Sequence, residues 1–156
     1  MVQLPIDILI VDDERDFVEM LSLRLTDAGH RVRAAYSGQE ALSVLAETEG
    51  DMLPEIDVII LDIKMPGMDG IETLKQIKAR YPVVEVILLT GHGAVDTAVT
   101  GLKQGAFDYL LKPADFDDLT AKLASARKQR DAHAKRLRDA EARALMRRSG
   151  GLLTHE

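Results

Sequence analysis

Four apolar runs in this sequence each end in a side chain able to do chemistry. Ile8-Leu9-Ile10-Val11 runs into Asp12-Asp13-Glu14, Val58-Ile59-Ile60-Leu61 into Asp62, Leu88-Leu89 into Thr90, and Leu110-Leu111 into Lys112. An aspartate after a strand often does no more than cap the next helix, and Asp12 or Asp13 could serve a helix from Glu14 in that way. Three carboxylates gathered at one place are a different matter. Their repulsion is costly unless one binds a proton or a cation sits among them. The chain has no cysteine, and its four histidines, His30, His92, His133 and His155, show no metal-ligand spacing, so any metal must be held by oxygen. Mg²⁺ suits such a site because it keeps several waters and uses few carboxylates. A carboxylate nucleophile, a divalent cation, a fixed ammonium and a hydrogen-bond donor together are what phosphoryl transfer needs.

Those side chains converge only if their strands end at one edge of a parallel sheet. Strand-length apolar runs alternate with segments of helical period, which predicts five βα units. The strands are read as 6–11, 31–35, 56–61, 84–89 and 107–111. The first, third and fourth are nearly continuous β-branched or leucine runs, as expected of strands covered on both faces. Arg31-Val32-Arg33-Ala34 alternates, which places strand two at an edge, and Asp108 makes strand five the other edge. Ser37-Gly38-Gln39-Glu40 and Asp69-Gly70-Ile71-Glu72 are helix starts, Asp115 opens the last helix, and Thr48 to Glu55 reads as a surface loop. The expected fold class is α/β, a doubly wound five-stranded parallel sheet of order 2-1-3-4-5, flavodoxin-like, with an extended C-terminal helix. The order is partly borrowed from the family resemblance described below. In it, strands one and three are neighbours whose helices leave on opposite faces, opening a crevice at their carboxyl ends.

Val-Asp-Asp-Glu at 11–14, Leu-Asp-Ile-Lys-Met-Pro-Gly-Met-Asp-Gly at 61–70, Leu-Thr-Gly at 89–91 and Lys-Pro at 112–113 together resemble the receiver domain of bacterial two-component response regulators. The likeness spans about residues 6–126. It implies that Asp62 is the phosphoacceptor and that Asp13 binds Mg²⁺ directly, with Asp12 assisting, Asp62 itself and the backbone carbonyl of Lys64 completing the protein's ligands. It implies further that Thr90 bonds the phosphoryl group, that Lys112 pairs with it, and that the peptide before Pro113 is cis. Tyr109 matches the family's aromatic switch position, although an edge-strand aromatic packed on a helix is nearly as good a reading. Lys64 and His92 stand where the family adjusts phosphoryl lifetime. A histidine kinase or phosphotransfer protein is the implied donor. Gly67 and Gly70 are expected to supply backbone angles that other residues resist.

Composition narrows the remaining options. With 46% hydrophobic and 29% charged residues the chain matches an ordinary globular protein, and no apolar run reaches the ~18 residues of a membrane span. The N-terminus lacks a basic start and apolar stretch, so a cytoplasmic location is expected. Residues 1–126 carry 11 basic and 22 acidic side chains, a net of −11, and the remainder 9 and 4, a net of +5. That shift divides a receiver domain at 1–126 from a basic helical extension at 127–156, with no output domain in it. Leu119, Leu123, Ala126, Arg130, His133, Leu137, Ala140 and Ala144 follow a coiled-coil spacing up to Gly150-Gly151. A homodimer through this helix is one expectation, but Arg130, His133 and the alanines would bury little, which favours a frayed linker. The basic residues read as a solvated face, so nucleic acid is not expected as a partner; the output partner is left unnamed.

Other functions fit less well. A haloacid-dehalogenase-type phosphatase needs an acid/base aspartate two residues after its nucleophile, where this chain has Lys64. The expectation is therefore a phosphoacceptor switch that catalyses only its own phosphorylation and dephosphorylation. A flavodoxin-like FMN carrier would want a hydroxyl-rich loop after strand one, where Asp-Asp-Glu repels phosphate. A receiver that binds partners without phosphorylation is disfavoured by the complete set of site residues.

Overall fold

In a computed structural model, residues 4–50, 53–65 and 67–153 are described, apart from the side chains of His92 and residues 150–153. Five parallel strands, β1 (Asp7–Val11), β2 (Arg31–Ala35), β3 (Val58–Asp62), β4 (Glu85–Thr90) and β5 (Asp108–Leu111), lie in the order β2-β1-β3-β4-β5. They alternate with α1 (Arg15–Asp27), α2 (Gly38–Glu47), α3 (Gly70–Arg80), α4 (Val95–Lys103) and α5 (Phe116–Leu153), with a 3₁₀ turn at His92–Ala94 before α4. Order and edges agree with the sequence reading. The strand bounds differ by one or two residues, and the informative shift is that Asp62 and Thr90 belong to the ladder itself, opposite Leu89 and Leu111. Their backbones are therefore held by sheet hydrogen bonds rather than by loops.

The period-2 geometry of the strands splits the core into two layers. Leu9, Val11, Ile59, Leu61, Val86 and Leu88 point to the side covered by α2, α3 and α4. Ile8, Ile10, Val58, Ile60, Ile87 and Leu89 point to the side covered by α1 and α5, where Val18, Leu21, Leu25, Leu119 and Leu123 meet them. Because α1 and α3 leave neighbouring strands on opposite faces, the space beyond Val11 and Asp62 stays open.

Local signals act as read, with differences in detail. Ser37 and Asp69 accept the amides of Glu40 and Glu72 at 3.1 and 2.9 Å, while Glu40 returns a bond to Tyr36, one residue before the cap. Asp115 caps α5 through the amides of Asp117 and Asp118. The 48–55 segment folds back on itself through a Glu49–Pro54 bridge, and its residues 51 and 52, like Pro66 after β3, lie outside the described residues. Gly67 has the expected positive φ of 76°, but Gly70 does not. What Gly70 needs is space: its amide bonds to Ile63 O at 2.8 Å, and a Cβ there would run into the Asp62 carbonyl and the Ile63 backbone.

The extended C-terminal helix is present as expected, and it differs in where it ends and in which positions it buries. It continues through Gly150-Gly151 to Leu153, because glycine costs a helix only ~1 kcal/mol and, unlike proline, removes no hydrogen bond. Its register positions Leu119, Leu123 and Ala126 are buried in the body of the same chain, and the next fully buried residue is Ala134, not His133. Beyond it Leu137, Leu145 and Met146 are exposed.

Gly70→Ala should cost about 1–3 kcal/mol through overpacking against backbone that cannot move aside. Urea denaturation is expected to show a lower midpoint, and an unchanged one would contradict the close approach.

Candidate functional site

The open ends of β1, β3, β4 and β5 bring the expected residues together. Asp12 follows β1, its backbone anchored by a 3.2 Å bond to Ala35 O, and its side chain is buried. Asp13 next to it is exposed. Asp62 closes β3 and is 7% exposed. Carboxylate oxygens of Asp12, Asp13 and Asp62 all lie within 4.8 Å of one another. The donor set is oxygen only and strongly anionic, which fits a hard divalent cation.

Lys112 enters from the end of β5, with its amide bonded to Thr90 O at 2.7 Å across the last rung of the sheet. The peptide to Pro113 is cis. Its Nζ lies 2.6 Å from Asp12 Oδ2, and 3.8 and 3.9 Å from Glu14 Oε1 and Asp62 Oδ2. The ammonium is thus bound first to Asp12 and only secondarily to Asp62. Burial on its own would lower the Lys112 pKa; the hydrogen bond to Asp12 and the charges of Asp12, Asp62 and Glu14 more than offset this and hold it above its ordinary value. Asp12 also accepts the Glu14 amide at 3.0 Å through its other oxygen. Helix entry and charge pairing are therefore shared by one carboxylate.

Asp62 carries the electrostatic cost. Burial pushes its carboxyl up from 3.8 to about 6, and the Asp12 charge adds to the rise. The Lys112 ammonium and a hydrogen bond from the Lys64 amide pull it down without cancelling the effect, and Asp13 adds a smaller push upward. Thr90 is fully buried at the end of β4, and among the described residues its hydroxyl donates one long 3.5 Å bond, to Gly91 O. That hydroxyl is free to turn to a better acceptor.

Three expected residues stand differently. Tyr109 lies opposite Leu88 in β5, half-buried against the core, with no hydrogen bond from its hydroxyl among the described residues. This is the packed edge-strand arrangement. Lys64 is exposed, and its Nζ lies 3.9 Å from where a Cβ on Gly93 would stand, so it leans over the loop after β4. The side chain of His92 lies outside the described residues. Two neighbours escaped the sequence reading. Phe17 places its ring 4.5 Å under Lys112 Nζ, and Arg15 stacks at 3.9 Å on Tyr36 at the crevice rim. An aromatic in an amphipathic helix reads simply as core, and nothing in spacing ties residue 17 to residue 112.

With this geometry established, the comparisons place the chain. A family model described as the response regulator receiver domain matches residues 8–124. The chain belongs to that family, the phosphoaccepting receiver domains of two-component response regulators. It is 44% identical over 121 residues to the transcriptional regulatory protein ZraR of Escherichia coli (strain K12), covering 78% of this chain and 26% of ZraR. It is 45% identical over 112 residues to the DNA-binding transcriptional regulator NtrC of Klebsiella pneumoniae, covering 72% of this chain and 23% of NtrC. The crystal structure of a response regulator receiver domain protein from Clostridium thermocellum superposes with a TM-score of 0.76 at 36% identity, over 81% of this chain and 98% of that one. The chain thus spans about a quarter of the length of the curated relatives it matches. One of these is named as DNA-binding, so the expectation that nucleic acid plays no part gains no support. Among the described residues no helix is long and apolar enough to cross a membrane.

The raised pKa of Asp62 has a stability consequence with a definite sign. Its folded value lies above the unfolded one, so the stability it lends as a neutral acid is present below pH 3.8 and lost as pH rises to about 6. In metal-free protein, Asp62→Asn should therefore raise unfolding free energy by up to about 3 kcal/mol near neutral pH and by nothing at about pH 3.5. Denaturant titrations at both pH values measure this, and an equal change at both would contradict it.

Proposed function

We propose that Asp62 is the phosphoacceptor of a two-component response regulator, charged by a histidine kinase or a phosphotransfer protein and switching conformation to control a partner. The observation that supports this best is the setting of Asp62: a buried carboxylate with a raised pKa, beside two further carboxylates and an ammonium, with the weakly bonded Thr90 hydroxyl at the end of the next strand. In the reaction an Asp62 carboxylate oxygen attacks phosphorus. The bond from phosphorus to the donor's imidazole nitrogen breaks with its electron pair going to that nitrogen, which takes up a proton from solvent. Asp12, Asp13, Asp62 and the Lys64 carbonyl would hold Mg²⁺, which supplies charge neutralisation between the anionic site and the incoming phosphoryl group. Lys112 would move its ammonium from Asp12 toward the phosphoryl oxygens, a shift of the order of the difference between its 2.6 and 3.9 Å contacts. Thr90 would turn its hydroxyl to the same group, carrying the loop before α4 with it.

Loss of the phosphoryl group is a hydrolysis: water attacks phosphorus and gives up a proton to solvent, the bond from phosphorus to the Asp62 oxygen breaks with its electron pair going to that oxygen, and inorganic phosphate departs. The protein so acts only on itself. A haloacid-dehalogenase-type turnover lacks its acid/base group, since the residue two after Asp62 is the exposed Lys64. Lys64, which leans over the loop after β4, would meet attacking water there, and a lifetime role for His92 belongs to the same proposal. A movement of Tyr109, output through a larger protein, contact of that protein with DNA, a homodimer using the α5 residues beyond Ala134, and a cytoplasmic location belong to the same proposal.

Incubation with Mg²⁺ and acetyl phosphate or phosphoramidate should yield a phosphoprotein by mass spectrometry, absent in Asp62→Asn and after chelation. A wild-type chain left unmodified by both donors and by a cognate kinase would contradict the reading. Lys112→Ala is expected to slow phosphorylation on the order of a hundredfold, the usual loss for a missing transition-state donor. Lys64→Ala should change the decay rate of the phosphorylated protein, and an identical decay would remove Lys64 from the lifetime role.

A further inference from the structure

The end of the sheet opposite Asp62 holds a second buried acid. Asp57 immediately precedes β3, its side chain 8% exposed, and one oxygen accepts the Asp7 amide at 3.0 Å. Its counter-charges come from α5, past the region matched by the family model. Arg127 Nη1 and Arg130 Nε each lie 3.3 Å from Asp57. Arg127 also donates to Pro5 O at 2.7 Å, which ties the helix to the segment entering β1. Asp131 takes the outer faces of both guanidiniums, at 3.0 Å from Arg127 Nε and 3.2 Å from Arg130 Nη1. Arg130 Nε is buried without hydrogen-bond geometry, so its hold on Asp57 is electrostatic. One turn on, Ala134 is fully buried, and Glu85, another buried acid at the same end of the sheet, has Lys78 Nζ at 3.8 Å.

This explains a residue that looked misplaced. Arg130 is a poor coiled-coil seam residue because it faces an acid of its own domain, and beside His133 it is Ala134 that the domain buries. Burial raises the Asp57 carboxyl even with the Asp7 amide and both guanidiniums pulling it down. Without the arginines a buried charge would stand uncompensated, a strongly destabilising arrangement. The helix beyond Ala134 is polar on nearly every side, with exposed Lys135, Arg136, Arg138 and Arg143. A segment of that length and character forms a persistent helix in water only when something anchors its beginning.

We infer that Asp57 is a latch: by seating Arg127 and Arg130 it makes α5, through Ala134, part of the rigid body of the domain, so that the remaining helix leaves as a lever of fixed direction. The latch is independent of phosphoryl chemistry at the far end of β3. It makes the basic segment just after residue 126 a component of the domain rather than a linker.

Because the chain has no native cysteine, Leu23→Cys on α1 and Leu145→Cys on the lever, at positions 68% and 53% exposed, accept nitroxide labels cleanly. Double electron–electron resonance on this labelled full chain is expected to give a narrow distance distribution. Asp57→Asn and, separately, Arg127→Gln with Arg130→Gln should broaden it by about twofold or more, while amide exchange in β1 and β3 stays slow. A broad distribution before any latch substitution overturns the inference, as does an unchanged width in the arginine variant. If the arginine variant, which leaves the buried Asp57 charge uncompensated, does not fold, Asp57→Asn decides alone, since it removes that charge together with the latch, and an unchanged width there overturns the inference equally.

Discussion

Asp12 and Asp62 are held out of water at neighbouring strand ends with one ammonium between them, and the rest of the molecule can be understood from that imbalance. Lys112 satisfies Asp12 at 2.6 Å and leaves Asp62 at 3.9 Å, with its carboxyl raised to about 6. A site short of positive charge suits a divalent cation, which in the proposed function would prepare it for a phosphoryl group. The β-branched and leucine strands serve this by being dry on both faces, which keeps the local dielectric low and the imbalance large. Two of the site residues, Asp62 and Thr90, are the last rungs of the sheet, so the charges cannot relax apart by loop movement.

Strand β3 has a buried acid at each end, and the two are treated in opposite ways. Asp57 is matched by Arg127 and Arg130, which are always charged and present two nitrogens at 3.3 Å. Asp62 is left under-compensated beside a lysine that has another partner. The first arrangement fixes a helix, and the second keeps a place for ligands that come and go. A chain wired only for stability would have no reason to leave the second end unmatched.

Much of this was legible from residue types alone. Continuous apolar runs in β1, β3 and β4 and the alternation of β2 separated central from edge strands, because two-sided burial leaves a mark on every residue of a strand, while the full order came partly from the family resemblance. Asp12, Asp13, Asp62, Thr90 and Lys112 were legible because each follows a run whose end is easily located. Contacts between residues 100 apart, such as Lys112 with Asp12, were not, since spacing says nothing about which partner an ammonium prefers at a crowded edge. Phe17 was hidden by its amphipathic helix, and Gly70 by a need for room rather than for an unusual φ. Arg127 and Arg130 were read as a solvated face for the same reason: an i, i+3 pair of arginines looks identical whether it faces water or a buried acid.

The charge imbalance at Asp62 is tested most directly by the pH dependence of Mg²⁺ binding, followed by NMR shifts of the site amides. The cation needs Asp62 ionised, so affinity should climb close to tenfold per pH unit below about pH 6 and level off above it. Affinity that is flat from about pH 5 to 8, or unaltered by Asp62→Asn, would mean that Asp62 is not where the missing charge is felt.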